Sequence, residues 1–150
     1  MEKTFLLGVG CQKGGTSWLH NYLSKHPNTN MGFAKEYHIF DALTIPACER
    51  HRDEKSRYSF VFKDMKYKLW PRRLLGVKLR REFYSDTGKY FDYFDRIAEP
   101  SDGVTLTGDI TPSYAGLSPE VYKEIKDGAE ARGFRVKVIF LMRDPVERCI

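Results

Sequence analysis

The chain has little cysteine and no long apolar run, and each absence excludes a class of protein. Its three cysteines are odd in number, widely spaced and without metal-ligand spacing: they are Cys11, Cys48 and Cys149. We therefore expect neither a disulfide framework nor a zinc site. No stretch approaches the roughly 18 uninterrupted apolar residues that a membrane span needs, and strand-like sequence follows Met1 too soon for a signal peptide. These absences predict a cytoplasmic protein with no membrane partner.

What the chain does have is the composition of a folded domain. Its 150 residues are 41% apolar and 14% aromatic, which is enough to bury a single core. Neither an internal repeat nor a low-complexity linker divides the sequence. We expect residues 1–150 to form one domain.

The net charge of +5 is concentrated in one segment. Between Arg50 and Arg81 there are twelve Lys or Arg residues and three Asp or Glu, with aromatic side chains among them. Such a segment fits an anionic partner such as a sulfated glycan, a nucleic acid or a nucleotide. It fits an ordinary solvated helical surface equally well, because runs of charge are usually that.

The most informative stretch is residues 5–19. An apolar, strand-like segment ends there in glycines, and a helical pattern begins at about Thr16. Gly14 and Gly15 let backbone N–H groups approach an anion, and the start of a helix adds unpaired N–H groups at its positive end. A cation and two hydroxyls are added by Lys13, Thr16 and Ser17. The sequence therefore predicts a strand, an anion-binding loop and a helix.

Apolar periodicity in the rest of the chain predicts alternating strands and helices. Pro27 should end the first helix, because proline and the residue before it disfavour helix. The last apolar run is nearly continuous, as expected for a strand covered on both faces in a parallel sheet. The predicted elements after Pro27 are a short strand at 31–33, helices between 42 and 100 with the clearest at 87–98, a strand within 104–114, a helix capped by Ser118 and ended by Gly133, and a strand at 136–142. This alternation predicts an α/β fold in which helices flank a parallel sheet.

The anion loop has an unusual order of residues. In the nucleoside-triphosphate loop, G-x-x-x-x-G-K-[ST], the lysine follows the last glycine and the next hydroxyl holds magnesium. Here Lys13 precedes both glycines, so that hydroxyl is not in its place. The segment Gln12–Leu19, which reads QKGGTSWL, instead resembles the 5′-phosphosulfate loop of sulfotransferases that use 3′-phosphoadenosine 5′-phosphosulfate (PAPS).

This resemblance implies a P-loop-like sulfotransferase core that takes PAPS as sulfuryl donor and needs no metal. Lys13 would neutralise the charge that grows on the transferring group. The backbone N–H groups of Gly14, Gly15, Thr16 and Ser17, together with the two hydroxyls, would hold the 5′-phosphate. Trp18 matches the position whose indole stacks on adenine in some members of the family, although its helical spacing fits a core position equally well.

The segment Lys35–Asp41, KEYHIFD, resembles the K-E-x-x-F-F segment of the glycan-modifying sulfotransferases. The resemblance implies that Glu36 is the general base that takes the proton of an acceptor hydroxyl. His38 is the alternative, because the branch of the family that acts on small molecules uses a histidine base. The expected partner is therefore a small-molecule or glycan acceptor, and nucleic acid is not expected.

Two later segments also resemble the family. Gly108–Tyr114 resembles G-E-x-[ST]-P-x-Y, with Asp109 in place of the usual glutamate and Ile110 where a lysine is common. For Asp109 a direct role at the cofactor and the capping of a turn fit equally well. Arg143 occupies the arginine position of R-[DN]-P-x-x-R-x-x-S, which implies a contact with the 3′-phosphate of the cofactor. The sequence stops one position before the serine of that motif, so the resemblance implies the N-terminal portion of a longer domain.

Two other functions fit the sequence less closely. One is a P-loop nucleotide kinase, which would bind ATP with magnesium. The other is a non-catalytic module that binds polyanions through the segment from Arg50 to Arg81.

Overall fold

The computed structural model describes residues 2–52, 70–99, 102–144 and 146. Within these ranges three strands form one open, all-parallel sheet. They are β1 (Lys3–Gly10), β2 (Leu106–Ile110) and β3 (Phe134–Phe140), in the spatial order β2-β1-β3. Because β1 is central and the strands are parallel, the carboxyl ends of all three meet at one edge of the sheet.

Helices flank this sheet, so the chain has the mixed α/β architecture that the sequence predicts. The described α-helices are α1 (Thr16–Leu23), α2 (Phe40–Thr44), α3 (Trp70–Ser85), α4 (Thr87–Ile97) and α5 (Pro119–Glu130). Two 3-10 helices, Pro46–Arg52 and Pro112–Gly116, follow α2 and β2. No helix in the described part of the chain is both long and apolar enough to cross a membrane.

An aromatic core joins β1 to α4. Phe5 and Phe94 are fully buried, and their ring centroids lie 5.0 Å apart in an edge-on arrangement. Tyr90 contacts both rings. The aromatic stripe of α4 is therefore core, as its helical spacing indicates.

Local signals mark the ends of the later helices. Asp86 precedes α4 and accepts a hydrogen bond from Gly88 N at 2.9 Å. Ser118 caps α5, and Gly133 has a φ of 76° just after that helix. The helix that periodicity predicts at 87–98 and the helix predicted from Ser118, its apolar face and Gly133 are both confirmed. The cap at Asp86 was not predicted.

The predicted strand at 31–33 is wrong. Gly32 has a φ of 74°, in the left-handed region, and its N–H donates to Asn30 Oδ1 at 3.0 Å. This side-chain bond makes a turn where an extended strand would need backbone pairing. Next to this turn the chain contacts the sheet through a parallel bridge between Thr29 and Leu106.

The prediction that the last strand is covered on both faces is also wrong for the described residues. Among them β3 pairs with β1 alone and forms an edge of the sheet. Val138 is 56% exposed and Phe140 is 51% exposed. An apolar run shows that both faces of a strand suit burial, but it does not encode what lies against them.

Candidate functional site

The loop between β1 and α1 lies at the carboxyl edge of the central strand. Gly14 N donates to Cys11 O at 2.9 Å, which closes the turn, and Cys11 N donates to Leu141 O at 2.9 Å, which ties the loop to the segment after β3. Gly15 is the N-cap residue of α1, and no side chain among the described residues caps that helix. The first N–H groups of α1 are thus available to an anion at the positive end of the helix dipole.

The two glycines of the loop are needed for different reasons. A Cβ on Gly14 would lie 2.6 Å from Cys11 Sγ and 3.0 Å from Leu141 O. A Cβ on Gly15 would meet nothing within 4 Å, but the φ of that residue is 101°. Gly14 therefore permits close backbone packing, and Gly15 permits the left-handed turn into the helix. Both features fit a loop whose backbone is shaped around a bound phosphate.

The side chains of the loop divide between surface and interior. Lys13 and Ser17 are exposed, whereas Thr16 is buried. Lys13 has a φ of 59° and so belongs to the same tight turn as the glycines. The predicted cation and one of the two predicted hydroxyls are accessible to a bound anion.

Trp18 lies on the surface of α1 beside the loop. Its side chain is 69% exposed, and its ring stacks on that of Tyr22, which is 60% exposed, at 5.5 Å between centroids and 14° between planes. The prediction that Trp18 could be a core residue is wrong. Helical spacing alone did not distinguish the half-buried side of α1, which carries Leu19 and Leu23, from this exposed aromatic pair.

Lys35 connects the anion loop to the predicted base. Its Nζ donates to Ser17 Oγ at 2.9 Å and to Glu36 Oε1 at 2.7 Å. A hydroxyl at the start of α1 and the carboxylate of Glu36 are therefore separated by one ammonium group. The structure thus brings together Ser17 and Glu36, which are 19 positions apart in the sequence.

The other oxygen of Glu36 accepts from His38. His38 Nε2 lies 3.1 Å from Glu36 Oε2, and His38 Nδ1 lies 2.7 Å from Asp41 Oδ2. Asp41 also accepts from the hydroxyl of Ser113. The imidazole is thus held between two carboxylates, and we call Glu36, His38 and Asp41 the charge cluster.

Within the charge cluster, the pKa of each member is shifted in the direction that favours its charged form. The hydrogen bond from His38 is the main reason that the pKa of Glu36 falls to about 2, although burial opposes the shift and Lys35 assists it. Burial disfavours the charge on His38, but its bonds to Asp41 and Glu36 outweigh that effect and raise its pKa to about 9. Burial likewise opposes ionisation of Asp41, while the bonds from His38 and Ser113 lower its pKa. At neutral pH the cluster is an imidazolium between two carboxylates.

Helix α3 holds the backbone of the charge cluster. Arg80 donates to Glu36 O at 2.6 Å, and the hydroxyl of Tyr84 donates to His38 O at 3.0 Å. His38 itself has a φ of 54°, which is uncommon for a residue with a side chain. Neither these contacts nor the part of Asp41 was predicted from the sequence. The spacing Glu-x-His-x-x-Asp is the signal in the sequence that could have indicated the cluster.

Three residues near the charge cluster could be considered as ligands of a metal ion, but the orientation of their imidazole rings does not suit one. His38, Asp41 and His51 bring ligand-type atoms within 4.8 Å of one another. The two imidazole rings stack at 3.8 Å with 5° between their planes. Ring lone pairs lie in the ring planes, so those of a parallel stack do not converge on one ion. The arrangement suits hydrogen bonds between the imidazole and the carboxylates better than it suits a metal ion. That the function needs no metal stays a prediction.

His20 is a further titratable group beside the charge cluster. Its Nε2 is buried and has no hydrogen-bond partner among the described residues. Burial and the nearby charge of Lys35 lower the pKa of His20, whereas Glu36 opposes the shift. His20 therefore favours the neutral form.

Asp109 has neither of the two roles that the sequence suggested, which were a contact with the cofactor and the capping of a turn. It is completely buried at the end of β2, with no surface that a cofactor could touch. Its carboxylate accepts hydrogen bonds from the hydroxyls of Tyr90, Thr111 and Tyr114 and from Tyr37 N. Asp109 is therefore a hydrogen-bonded group of the interior.

Arg143 is exposed just beyond β3, at the same edge of the sheet as the anion loop. It lies two residues after Leu141, which accepts from Cys11 N in that loop. The rest of its predicted motif, from position 147 on, lies outside the described residues, as does position 145. So do residues 53–69, which hold much of the predicted basic segment.

No protein-family model matches the chain, and no curated protein has a significantly similar sequence.

Proposed function

We propose that the chain is a PAPS-dependent sulfotransferase with a P-loop-like core, in which the loop at residues 12–18 holds the donor and Glu36 faces the acceptor. The observation that carries the proposal is the position of Lys35. Its ammonium group bonds both Ser17 at the start of α1 and Glu36. The start of α1, where the donor would bind, and a carboxylate that could accept a proton thus lie within two hydrogen bonds of each other.

The donor half of the proposal rests on the chemistry of the loop. The uncapped start of α1 suits a phosphate group. The N–H of Gly14, which the sequence predicts as a donor to the phosphate, instead donates to Cys11 O and closes the turn. Lys13 would stabilise the negative charge that the 5′-phosphate gains as its bond to sulfur breaks. Trp18 offers an exposed aromatic face for the nucleobase, and Arg143 at the same edge could bind the 3′-phosphate.

The acceptor half rests on the charges of Glu36 and His38. Glu36 is ionised at neutral pH, and the bonds from Lys35 and His38 keep its pKa low. It takes the acceptor proton, as the acceptor oxygen or nitrogen bonds to sulfur, once one of these two bonds gives way to the acceptor. His38 carries its protons in bonds to two carboxylates, so it is not available as a base. We therefore assign the base to Glu36 and a positioning role to His38. The bond between sulfur and the 5′-phosphate oxygen breaks, and its electron pair leaves with adenosine 3′,5′-bisphosphate.

The acceptor proposed here is a small molecule or a glycan with a hydroxyl or amine group. A cytoplasmic location remains a prediction from the sequence. The kinase alternative differs in one measurable property, because a P-loop kinase binds its nucleotide together with magnesium.

Calorimetric titration with adenosine 3′,5′-bisphosphate tests the proposal. We expect binding without magnesium, and we expect Lys13→Ala to weaken it at least tenfold, or about 1.4 kcal/mol. Lys25→Ala is the matched control, because Lys25 is also exposed but lies beyond the end of α1. Equal binding by both variants, or ATP binding that requires magnesium, would contradict the proposal.

A further inference from the structure

Asp109 is a buried carboxylate with a full set of hydrogen-bond donors. Its Oδ1 accepts from Thr111 Oγ1 at 2.6 Å and from Tyr37 N at 3.4 Å. Its Oδ2 accepts from Tyr90 at 3.0 Å and from Tyr114 at 2.9 Å. Burial raises the pKa of Asp109 to about 6, and the hydrogen bonds oppose that shift. A carboxylate in the interior is costly even when it is well bonded, which suggests that it has a task.

Two of those donors hold the backbone of the charge cluster. Thr111 Oγ1 accepts from Tyr37 N at 3.0 Å, and the hydroxyl of Tyr114 accepts from Ile39 N at 3.1 Å. A hydroxyl has a single proton. Because each of these protons goes to Asp109, the lone pairs of the two hydroxyls turn toward the backbone amides. The carboxylate thus fixes the orientation of both hydroxyls.

The two amides held in this way flank His38. Tyr37 also follows Glu36 directly, so its peptide group sets the direction of that side chain. The left-handed backbone at His38, with a φ of 54°, carries strain that the surroundings must offset. Hydrogen bonds to the amides on both sides of the strained residue supply that restraint.

We propose that Asp109 is a positioning residue, which aims Glu36 and His38 at each other through the hydroxyls of Thr111 and Tyr114. Its effect on transfer rests on the proposed function, whereas its effect on His38 does not. Among the described residues, the charged and titratable groups that face His38 are Glu36, Asp41 and His51, together with the hydroxyls of Ser113 and Tyr84.

The titration of His38, followed by nuclear magnetic resonance in the full chain, tests the proposal. The signal can be assigned by its loss in His38→Gln. We expect Asp109→Asn and Tyr114→Phe each to lower the midpoint of the His38 titration by about one pH unit, a tenfold change in proton affinity. We also expect faster hydrogen exchange at Ile39 N in both variants.

Tyr93→Phe is the matched control. The hydroxyl of Tyr93 accepts from Phe33 N at 3.1 Å and is not among the donors to Asp109. The control should leave the His38 midpoint unchanged. If Asp109→Asn does not fold, Tyr114→Phe decides. An unchanged midpoint in folded Tyr114→Phe, or an equal shift in Tyr93→Phe, would overturn the proposal.

A transfer assay separates this proposal from the proposed function. With labelled PAPS and either 4-nitrophenol or a desulfated glycosaminoglycan oligosaccharide, we expect Tyr114→Phe to lower turnover about tenfold while leaving the affinity for adenosine 3′,5′-bisphosphate unchanged. A wild-type chain that neither binds this nucleotide nor transfers sulfate would refute the proposed function, but not the role of Asp109 in orienting His38. Normal turnover in Tyr114→Phe would refute the catalytic consequence alone.

Discussion

His38 Nε2 lies 3.1 Å from Glu36 Oε2, and this contact ties the stability of the fold to pH. The folded pKa of Glu36 is about 2, below its ordinary value of 4.5, so its contribution is present above about pH 4.5 and is lost as the pH falls toward 2. The folded pKa of His38 is about 9, above its ordinary value of 6.5, so its contribution is complete below about pH 6.5 and is lost as the pH rises through 9.

The first prediction follows from these two windows. We expect His38→Gln to lower the free energy of unfolding most between about pH 4.5 and 6.5, and to have progressively less effect from there to about pH 9. After allowance for solvent screening, the maximum loss should be about 1 to 2 kcal/mol. Urea unfolding at a series of pH values measures it.

His26→Gln is the control for this prediction. His26 is exposed, beyond the end of α1, and its Nδ1 accepts only a local bond from Asn28 N in the described structure. Its substitution should have little effect at any of these pH values. A loss in His38→Gln that does not vary with pH would show that the pair is not ionised in the folded state.

The second prediction separates the two glycines of the anion loop. Gly14→Ala places a methyl group against backbone oxygens of Cys11 and Leu141, which cannot move aside without deforming the loop. In Gly15→Ala the new methyl group contacts no atom, but alanine in the left-handed conformation costs about 1 kcal/mol that glycine does not. We expect Gly14→Ala to abolish nucleotide binding and Gly15→Ala to reduce stability with a smaller loss of binding.

Thermal unfolding and calorimetric titration of the two variants check this order. Gly15→Asn is a useful third variant, because asparagine tolerates the left-handed region better than alanine does. It should recover part of the stability that Gly15→Ala loses. If Gly14→Ala binds the nucleotide as tightly as the wild-type chain, the loop does not form the phosphate site.

The third prediction concerns the stacked pair of Trp18 and Tyr22. Tyr22 covers one face of the indole, and a nucleobase can stack only on the other. In a Trp70→Phe background Trp18 is the single tryptophan of the chain. We expect adenosine 3′,5′-bisphosphate to change its fluorescence, and Trp18→Ala to weaken binding by about 1 to 3 kcal/mol.

Inorganic phosphate is the control ligand for this prediction, because it has no base to stack. It should compete for the loop without the same change in fluorescence. A nucleotide that binds the loop but leaves the fluorescence of Trp18 unaltered would place the base elsewhere.

The parts of the fold that could be predicted from the sequence are those with local causes. The turn at Gly14 and Gly15, the cap at Ser118 and the apolar face of α4 each depend on residues a few positions apart. The predicted strand at 31–33 failed for a local reason too, because the side chain of Asn30 competes for the N–H of Gly32.

The charge cluster could be predicted only in part. Glu36 and His38 were recognised separately, but Ser113 reaches Asp41 across 72 positions, and the backbone carbonyl of Glu36 is bonded by Arg80 from another helix. Such contacts arise from packing and leave no periodic trace in the sequence. The burial of Asp109 has the same origin, since its donors come from three separate elements.

The tyrosines around Asp109 have a consequence for the chain in alkali. The hydroxyls of Tyr37, Tyr90 and Tyr114 are fully buried, and burial raises the pKa of each well above its ordinary value of 10. These phenols cannot become phenolates while the core stays closed. Their near-ultraviolet absorbance change in a base titration should therefore coincide with unfolding, and it gives an optical signal of core opening that needs no added dye or label.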